Sequence, residues 1–320
     1  MRNTIKKLAA IILLLSLSFL SLIIGTKELS LHELFLSDHD QWFILIQTRI
    51  PRTISLVFAG AMISIGGRVL QHLMQNRFVS ANTIGMMDSA RLGMLIVMLC
   101  LPNASIFMRT GVAFLFSYAG VLLFLGLSRF LPRGNPLILP LTGIMFGNVI
   151  GAIASFFAYQ YQLVQNIISW LQGNFSMVIK GQYELIYLTI PVLLAVYFLG
   201  YQITVAGLGE EAATAFGLSY QRLLWIVLAL VALGNTSVLL LVGSVPFLGI
   251  VVPNLVALYF GDHVKHTMWI TAVCGSSLLI VCDLIARLVI APYELPVSVV
   301  VGLVCGTLFL FLLFKKGVRS

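Results

Sequence analysis

Thr53-Ile54-Ser55-Leu56-Val57-Phe58-Ala59-Gly60-Ala61-Met62-Ile63-Ser64-Ile65-Gly66-Gly67-Arg68-Val69-Leu70-Gln71-His72-Leu73-Met74-Gln75 runs for 23 residues with one full charge, Arg68. About 20 apolar residues wound as a helix cross the hydrocarbon core of a bilayer. Similar stretches occupy 8–25, 83–101, 110–131, 137–160, 183–201, 222–243, 245–260, 267–290 and 297–314. With 53–75 they make ten expected spans and leave no room for a separate soluble domain. The seventh and eighth are joined closely through Gly243, Ser244 and Pro246, a place where a broken or re-entrant helix is expected.

Composition agrees with this reading. Of 320 residues, 60% are hydrophobic and 9% charged, against roughly 25% charged in a soluble domain. A cytosolic enzyme and a disordered chain are both excluded. The chain is expected to be an all-α integral membrane protein forming a single polytopic domain over 1–320.

The net charge of +8 is explained by position. The basic residues sit singly at the ends of apolar runs, and no basic stripe with interleaved aromatics points to nucleic acid. With the N-terminus inside, eleven basic residues fall at inner ends: Arg2, Lys6, Lys7, Arg77, Arg129, Arg133, Arg222, Lys265, Lys315, Lys316 and Arg319. Five fall outside: Lys27, Arg49, Arg52, Arg109 and Lys180. Positive charge favours the cytoplasmic side, so both termini are expected to be cytoplasmic. The basic head Met1 to Lys7 and the apolar run after it read as a retained first helix, because no small-residue cleavage site follows. Thr26 to Arg52 is the longest polar segment, and Pro51 punctuates its end.

Familiar catalytic chemistry is missing. The sequence contains no G-x-x-x-x-G-K-[ST] phosphate cradle, no H-E-x-x-H and no G-x-S-x-G. Cys100, Cys274, Cys282 and Cys305 lie in apolar stretches without C-x-x-C spacing, as buried structural thiols do. The chain is expected to be a non-enzyme holding neither metal nor cofactor, with any ATP used by a partner.

Ionisable groups at membrane depth need a partner or a function. Asp283 and Arg287 stand four apart and Asp88 and Arg91 three apart, so each pair can share one helix face. These pairs either lock helices together or line a hydrated path or docking site. Arg68 has no local acid, only Gln71 and His72 beside it. Two mid-span acids leave an ion-coupled secondary carrier as a rival reading.

Between the sixth and seventh spans lies Leu208-Gly209-Glu210-Glu211-Ala212-Ala213-Thr214-Ala215-Phe216-Gly217-Leu218. Two carboxylates suit a helix start and Gly217 suits its stop. The segment reads either as an ordinary capped loop helix or as a coupling helix. Glu211-Ala212-Ala213 with Gly217 resembles the EAA-x-x-x-G pattern of ABC importer permeases, whose helix inserts into a groove on the ATPase subunit.

Further stretches resemble one family. Arg49-Ile50-Pro51-Arg52-Thr53, then Ala59-Gly60-Ala61 and Gly66-Gly67-Arg68-Val69-Leu70-Gln71, are similar to the R-x-P-R opening of the FecCD family, permeases of importers for iron-siderophores, haem and cobalamin. Gly243 to Asn254 resembles its G-x-x-x-F-x-G-L-x-x-P-H segment, and Gly261-Asp262-His263 its G-D-H. Asp283 to Arg287 with Glu294-Leu295-Pro296-Val297 resembles its A-D-x-x-A-R…E-L-P closing pattern. There are departures. Asn254 replaces a histidine, Ser298 a glycine, and Asn76 to Ala90 lacks both prolines of the usual N-P-L-A-D-P stretch. That variant looks like the branch serving catechol-type siderophores such as petrobactin, anguibactin or enterobactin.

The resemblance implies a permease pairing with a second permease copy or paralogue in a bacterial cytoplasmic membrane. It also implies two ATP-binding subunits inside and an extracytoplasmic siderophore-binding protein outside. It gives Gly209, Glu210, Glu211, Ala212, Ala213 and Gly217 to ATPase coupling. Arg49, Arg52 and Arg287 match arginines that meet glutamates of the binding protein, a role suited to bidentate guanidinium forks. The plainer readings are lipid-interface snorkelling for Arg49 and Arg52 and the Asp283 pair for Arg287.

Overall fold

A chain crossing lipid has to close its own backbone hydrogen bonds, and a helix does so within one segment. The computed structural model describes residues 2–25, 39–131 and 137–317. Lys27, Glu28, Glu33 and Asp38 of the polar segment and the expected anchors Arg133 and Arg319 lie outside the described residues. Within them regular structure is helical, apart from one isolated parallel bridge between Gln172 and Ser244.

In chain order the helices are α1 (Arg2–Ile23), α2 (His39–Ile44), α3 (Ile50–Leu73), α4 (Met86–Cys100), α5 (Ile106–Ser128), α6 (Ile138–Gln160) and α7 (Val164–Leu171). There follow α8 (Thr189–Phe198), α9 (Gly200–Ala206), α10 (Glu210–Ala215), α11 (Tyr220–Val242), α12 (Leu248–Phe260), α13 (Val264–Leu288) and α14 (Val297–Gly317). Each expected span overlaps a helix, and among the described residues five helices, six counting one bent pair, are long and apolar enough to cross a membrane.

Three spans differ from the sequence reading in shape. The expected span 183–201 is found as Glu184–Phe198, bent by 60° from Gly200–Ala206, most of which lies beyond the expected end. The bend falls at Gly200, where a Cβ would collide with Lys265, and it lets Lys265 Nζ reach the Tyr197 carbonyl at 2.6 Å. α4 and α12 hold 15 and 13 residues, about 22 and 20 Å at the helical rise, short of the roughly 30 Å hydrocarbon core. Gly85, at φ 72°, separates α4 from a 3-10 turn at Asn82–Ile84, and Gly243 and Phe247, at φ 82° and 60°, separate α11 from α12.

Pro51 also behaves differently from a terminator. Helix runs from Gln41 to Leu73 without a stop, through a π turn at Leu45–Arg49. Proline has no N–H and crowds the carbonyl four residues back. The wider π turn absorbs that misfit, and the Gln47 carbonyl accepts instead from Lys180 N at 2.9 Å.

α3 is the centre of the bundle. Its most apolar stretch is 83% buried, against 22% for α6. Lipid tails are as apolar as leucine, so membrane helices associate through close packing of small residues. Gly60 of α3 faces Gly275 and Ser276 of α13 so closely that a Cβ has no room, and Ser276 Oγ donates to the Val57 carbonyl at 2.6 Å. Gly67 meets the Gly249 backbone of α12 in the same way. α6 turns Gly143, Gly147, Gly151, Ala154 and Ala158 inward and leaves Leu141, Met145, Val149 and Phe156 exposed.

Candidate functional site

The α3–α13 pair carries polar clusters at both ends. The first forms where α3 begins and α13 ends, the end that the charge distribution assigns to the outside. Asp283 is wholly enclosed. Its Oδ1 accepts from Arg52 Nε at 3.1 Å and Nη2 at 2.7 Å, and its Oδ2 pairs with Arg287. Arg52 Nη1 reaches Glu294 Oε2 at 2.8 Å, and the Ser176 hydroxyl donates to the same oxygen.

Arg287 also donates to the carbonyls of Ser21 at 2.9 Å and Ile24 at 2.7 Å, and Arg49 donates to Leu22 at 2.9 Å and to Ile23. Those carbonyls end α1, where a helix leaves acceptors unmatched and carries partial negative charge. Two arginines thus cap α1 while a third binds the enclosed aspartate. Arg49, Arg52 and Arg287 are 6%, 8% and 4% exposed, far more enclosed than interfacial snorkelling requires. They border a cavity of about 310 Å³ together with Thr48, Ser176 and Glu294. Three guanidiniums against two carboxylates leave this cavity one positive charge in excess. Burial pulls the Glu294 carboxyl upward, but the Ser176 hydroxyl and Arg52 outweigh it and hold the group below its ordinary value.

The second cluster forms at the opposite end of the same pair. Arg68 Nη1 lies 3.4 Å from Asp262 Oδ1, and Arg77 Nη2 lies 2.8 Å from Oδ2. Arg68 also donates to the Gly261 carbonyl at 3.2 Å. The acid that sequence proximity could not supply to Arg68 comes from 194 residues away. Beyond the end of α3, Gln75 stands at φ 48° and donates to the Gly207 carbonyl at 3.0 Å. His72 Nε2 is 3.1 Å from the Thr204 carbonyl, and its ring fills the space a Gly207 side chain would need.

These contacts hold the segment leading into α10. Gly209 and Gly217, at φ 110° and 78°, bracket that helix, with Glu210 and Glu211 in its first turn. Ala213 is buried, and Ala212 points partly inward, while Glu210 and Phe216 face solvent. Gln221 of α11 donates to Glu210 Oε1 at 3.0 Å. His263, at the start of α13, is held below its ordinary value by burial and by nearby His266.

Asp88 and Arg91 stand 3.8 Å apart. Asp88 packs on Gly147 of α6, where any side chain would strike its carboxylate. The sequence assigns no role to Glu294, Ser176, Asp262 or the α1 carbonyls, and to Arg77 only that of an inner-end charge. Glu294 and Asp262 lie within quoted motifs, which was the available signal. Ser176 and the α1 carbonyls left none.

Residues 12–315 match the FecCD transport family. The chain is 41% identical over 305 residues to the petrobactin import system permease protein YclN of Bacillus subtilis (strain 168), covering 95% of this chain and 96% of that one. It is 38% identical over 295 residues to the ferric-anguibactin transport system permease protein FatD of Vibrio anguillarum, covering 92% and 94%. A solved metal-chelate-type ABC transporter in an inward-facing conformation shares the fold, with a TM-score of 0.82 at 23% identity, covering 96% of this chain and 98% of that one. Matched along almost all of its length, the chain belongs to the FecCD transport family and is an integral-membrane ABC permease subunit.

Proposed function

We propose that this chain forms, with a second permease subunit, the membrane path for a ferric siderophore of the catechol type in a bacterial cytoplasmic membrane. The observation that carries the reading is the 41% identity with a petrobactin permease over 95% of the chain. In this reading both termini are cytoplasmic. Two ATP-binding subunits dock inside, α10 with Gly209, Glu210, Glu211, Ala212, Ala213 and Gly217 engages one of them, and the permease itself holds no cofactor. A siderophore-binding protein docks outside through glutamates that meet Arg49, Arg52 and Arg287. Docking and ATP-driven displacement of α10 switch access from one face to the other. The enclosed Asp283–Arg287 pair and the Asp88–Arg91 pair hold helices together.

The test is uptake by the complete importer in liposomes. Ferric petrobactin enters only when ATPase subunits and ATP are present, and cobalamin does not compete. Uptake driven by an ion gradient without the ATPase would return the chain to the secondary carriers.

A further inference from the structure

The guanidinium of Arg52 is divided between two carboxylates of very different standing. Its Nε and Nη2 hold Asp283, which is 0% exposed and gripped on its other oxygen by Arg287. Nothing from outside reaches that carboxylate. Its Nη1 holds Glu294, whose side chain is 17% exposed and forms part of the cavity wall. Glu294 stands between α13 and α14, in a turn tied back by Leu295 N to the Ala286 carbonyl at 3.1 Å and by Tyr293 N to Ile290 at 2.8 Å.

We propose that Glu294 is an internal occupant of the docking pocket, holding the Nη1 edge of Arg52 until a carboxylate of the binding protein takes it. This rests on the docking reading of Arg49, Arg52 and Arg287. The site already holds two carboxylates for three guanidiniums. An acidic side chain entering beside Glu294 meets a like charge directly on the donor it seeks, a juxtaposition that is unfavourable. Exchange removes the conflict, because Glu294 swings to solvent and the incoming group inherits its donor. The cavity of about 310 Å³ has room for one carboxylate-tipped side chain.

Exchange has consequences beyond the pocket. Glu294 is also bound by the Ser176 hydroxyl. Ser176 lies in the segment between α7 and α8, where Gly173 accepts from Ser298 N at the start of α14 at 3.1 Å and Asn174 N donates to the Val242 carbonyl of α11 at 3.0 Å. Release of Glu294 therefore removes one tie on a segment that touches two spanning helices. A docking event becomes a mechanical one without any new contact deep in the membrane.

The experiment measures association and dissociation of the purified substrate-binding protein of this import system on the assembled importer in nanodiscs. Glu294→Gln keeps the shape and the Ser176 contact but not the charge. It is expected to tighten binding about threefold to fivefold, the size of a partly exposed ion pair. The gain appears as faster association, because more of the free pocket is open to the partner, and it persists at high salt, as loss of a direct competitor demands. Ser176→Ala loosens Glu294 without changing any charge and shifts affinity the same way by a smaller factor. It decides the matter alone if Glu294→Gln assembles poorly.

Unchanged or weaker binding in these variants overturns the proposal, as does a gain erased by salt, which would be general attraction and not release of a competitor. Arg49→Glu separates the two readings. If it weakens binding while Glu294→Gln does not tighten it, the arginines dock the partner and Glu294 is no competitor. If Arg49→Glu changes nothing, the docking reading itself has failed.

Discussion

At one end of the α3–α13 pair Asp283 is fully enclosed and shared by Arg52 and Arg287. At the other, Asp262 is 57% exposed at its side chain and shared by Arg68 and Arg77. Both clusters join two arginines to one aspartate at the ends of this helix pair, the second through Arg77 and Asp262 in the loops just beyond α3 and before α13. The first has paid its desolvation in full, so removing a partner strands a buried charge. The second is solvated only in part: Asp262 and Arg77 face water, but the Arg68 side chain is 4% exposed, so a break there uncovers one enclosed guanidinium that keeps the Gly261 carbonyl. A transporter driven from its cytoplasmic side needs this asymmetry, because the elements that move are drawn from the weakly held end of a fold. The close crossing at Gly60 and Gly275 keeps the pair rigid between the two.

The sharpest way to break this comparison is to delete each aspartate in turn. Asp283→Ala leaves two enclosed guanidiniums without their shared anion and is expected to cost about 3–5 kcal/mol. Asp262→Ala removes an exposed carboxylate from the enclosed Arg68, which keeps the Gly261 carbonyl, and is expected to cost less, about 1–3 kcal/mol. Thermal unfolding of the purified protein in detergent, with folded yield from membranes, reads both. Equal losses would show that the two ends do not differ in kind. Asp283→Asn with Arg287→Met, which removes one charge of each sign, should recover part of the loss.

The second contrast is functional. Glu210→Ala with Glu211→Ala alters the weakly held end, and ATP-coupled uptake is expected to fall about tenfold while affinity for the binding protein stays unchanged. The two glutamates stand where an anion at a helix start is favourable by some tenths of a kcal/mol each, so stability should barely move. Uptake at the normal rate would reduce α10 to a capped loop helix. Reduced binding-protein affinity would mean that the two ends are not separable in this way.

What the sequence made legible follows the physics of each feature. The helices were readable because apolar runs of membrane length have few other uses, and α10 because two glycines bracket two carboxylates. The bend at Gly200 was not readable, since Lys265, the side chain packed against that glycine, comes from another helix. Arg287 and Asp283 were paired by spacing, but their link to Arg52 spans 231 residues and leaves no local periodicity. The same distance hid the partner of Arg68. Glu294 stood in plain view inside a quoted motif. Its meaning depended on which edge of which arginine it occupies, which no spacing encodes.

The finest contrast concerns the backbone at the weakly held end. Gln75 is a non-glycine residue at φ 48°, a conformation that costs such residues about 1 kcal/mol or more, and its amide donates to Gly207 at the approach to α10. Gln75→Gly relieves the strain and loses the hydrogen bond, so the net change in stability should be within about 0.5 kcal/mol. Gln75→Ala loses the bond and keeps the strain, and should cost about 1 kcal/mol more than Gln75→Gly. The difference between the two melting curves isolates strain from bonding. Coupled uptake separates what stability cannot: if the Gln75 contact carries α3 movement to α10, both variants lower uptake alike despite their unequal stabilities. Uptake that tracks stability instead would make Gln75 a local brace, and coupling would then have to pass through His72 and Thr204.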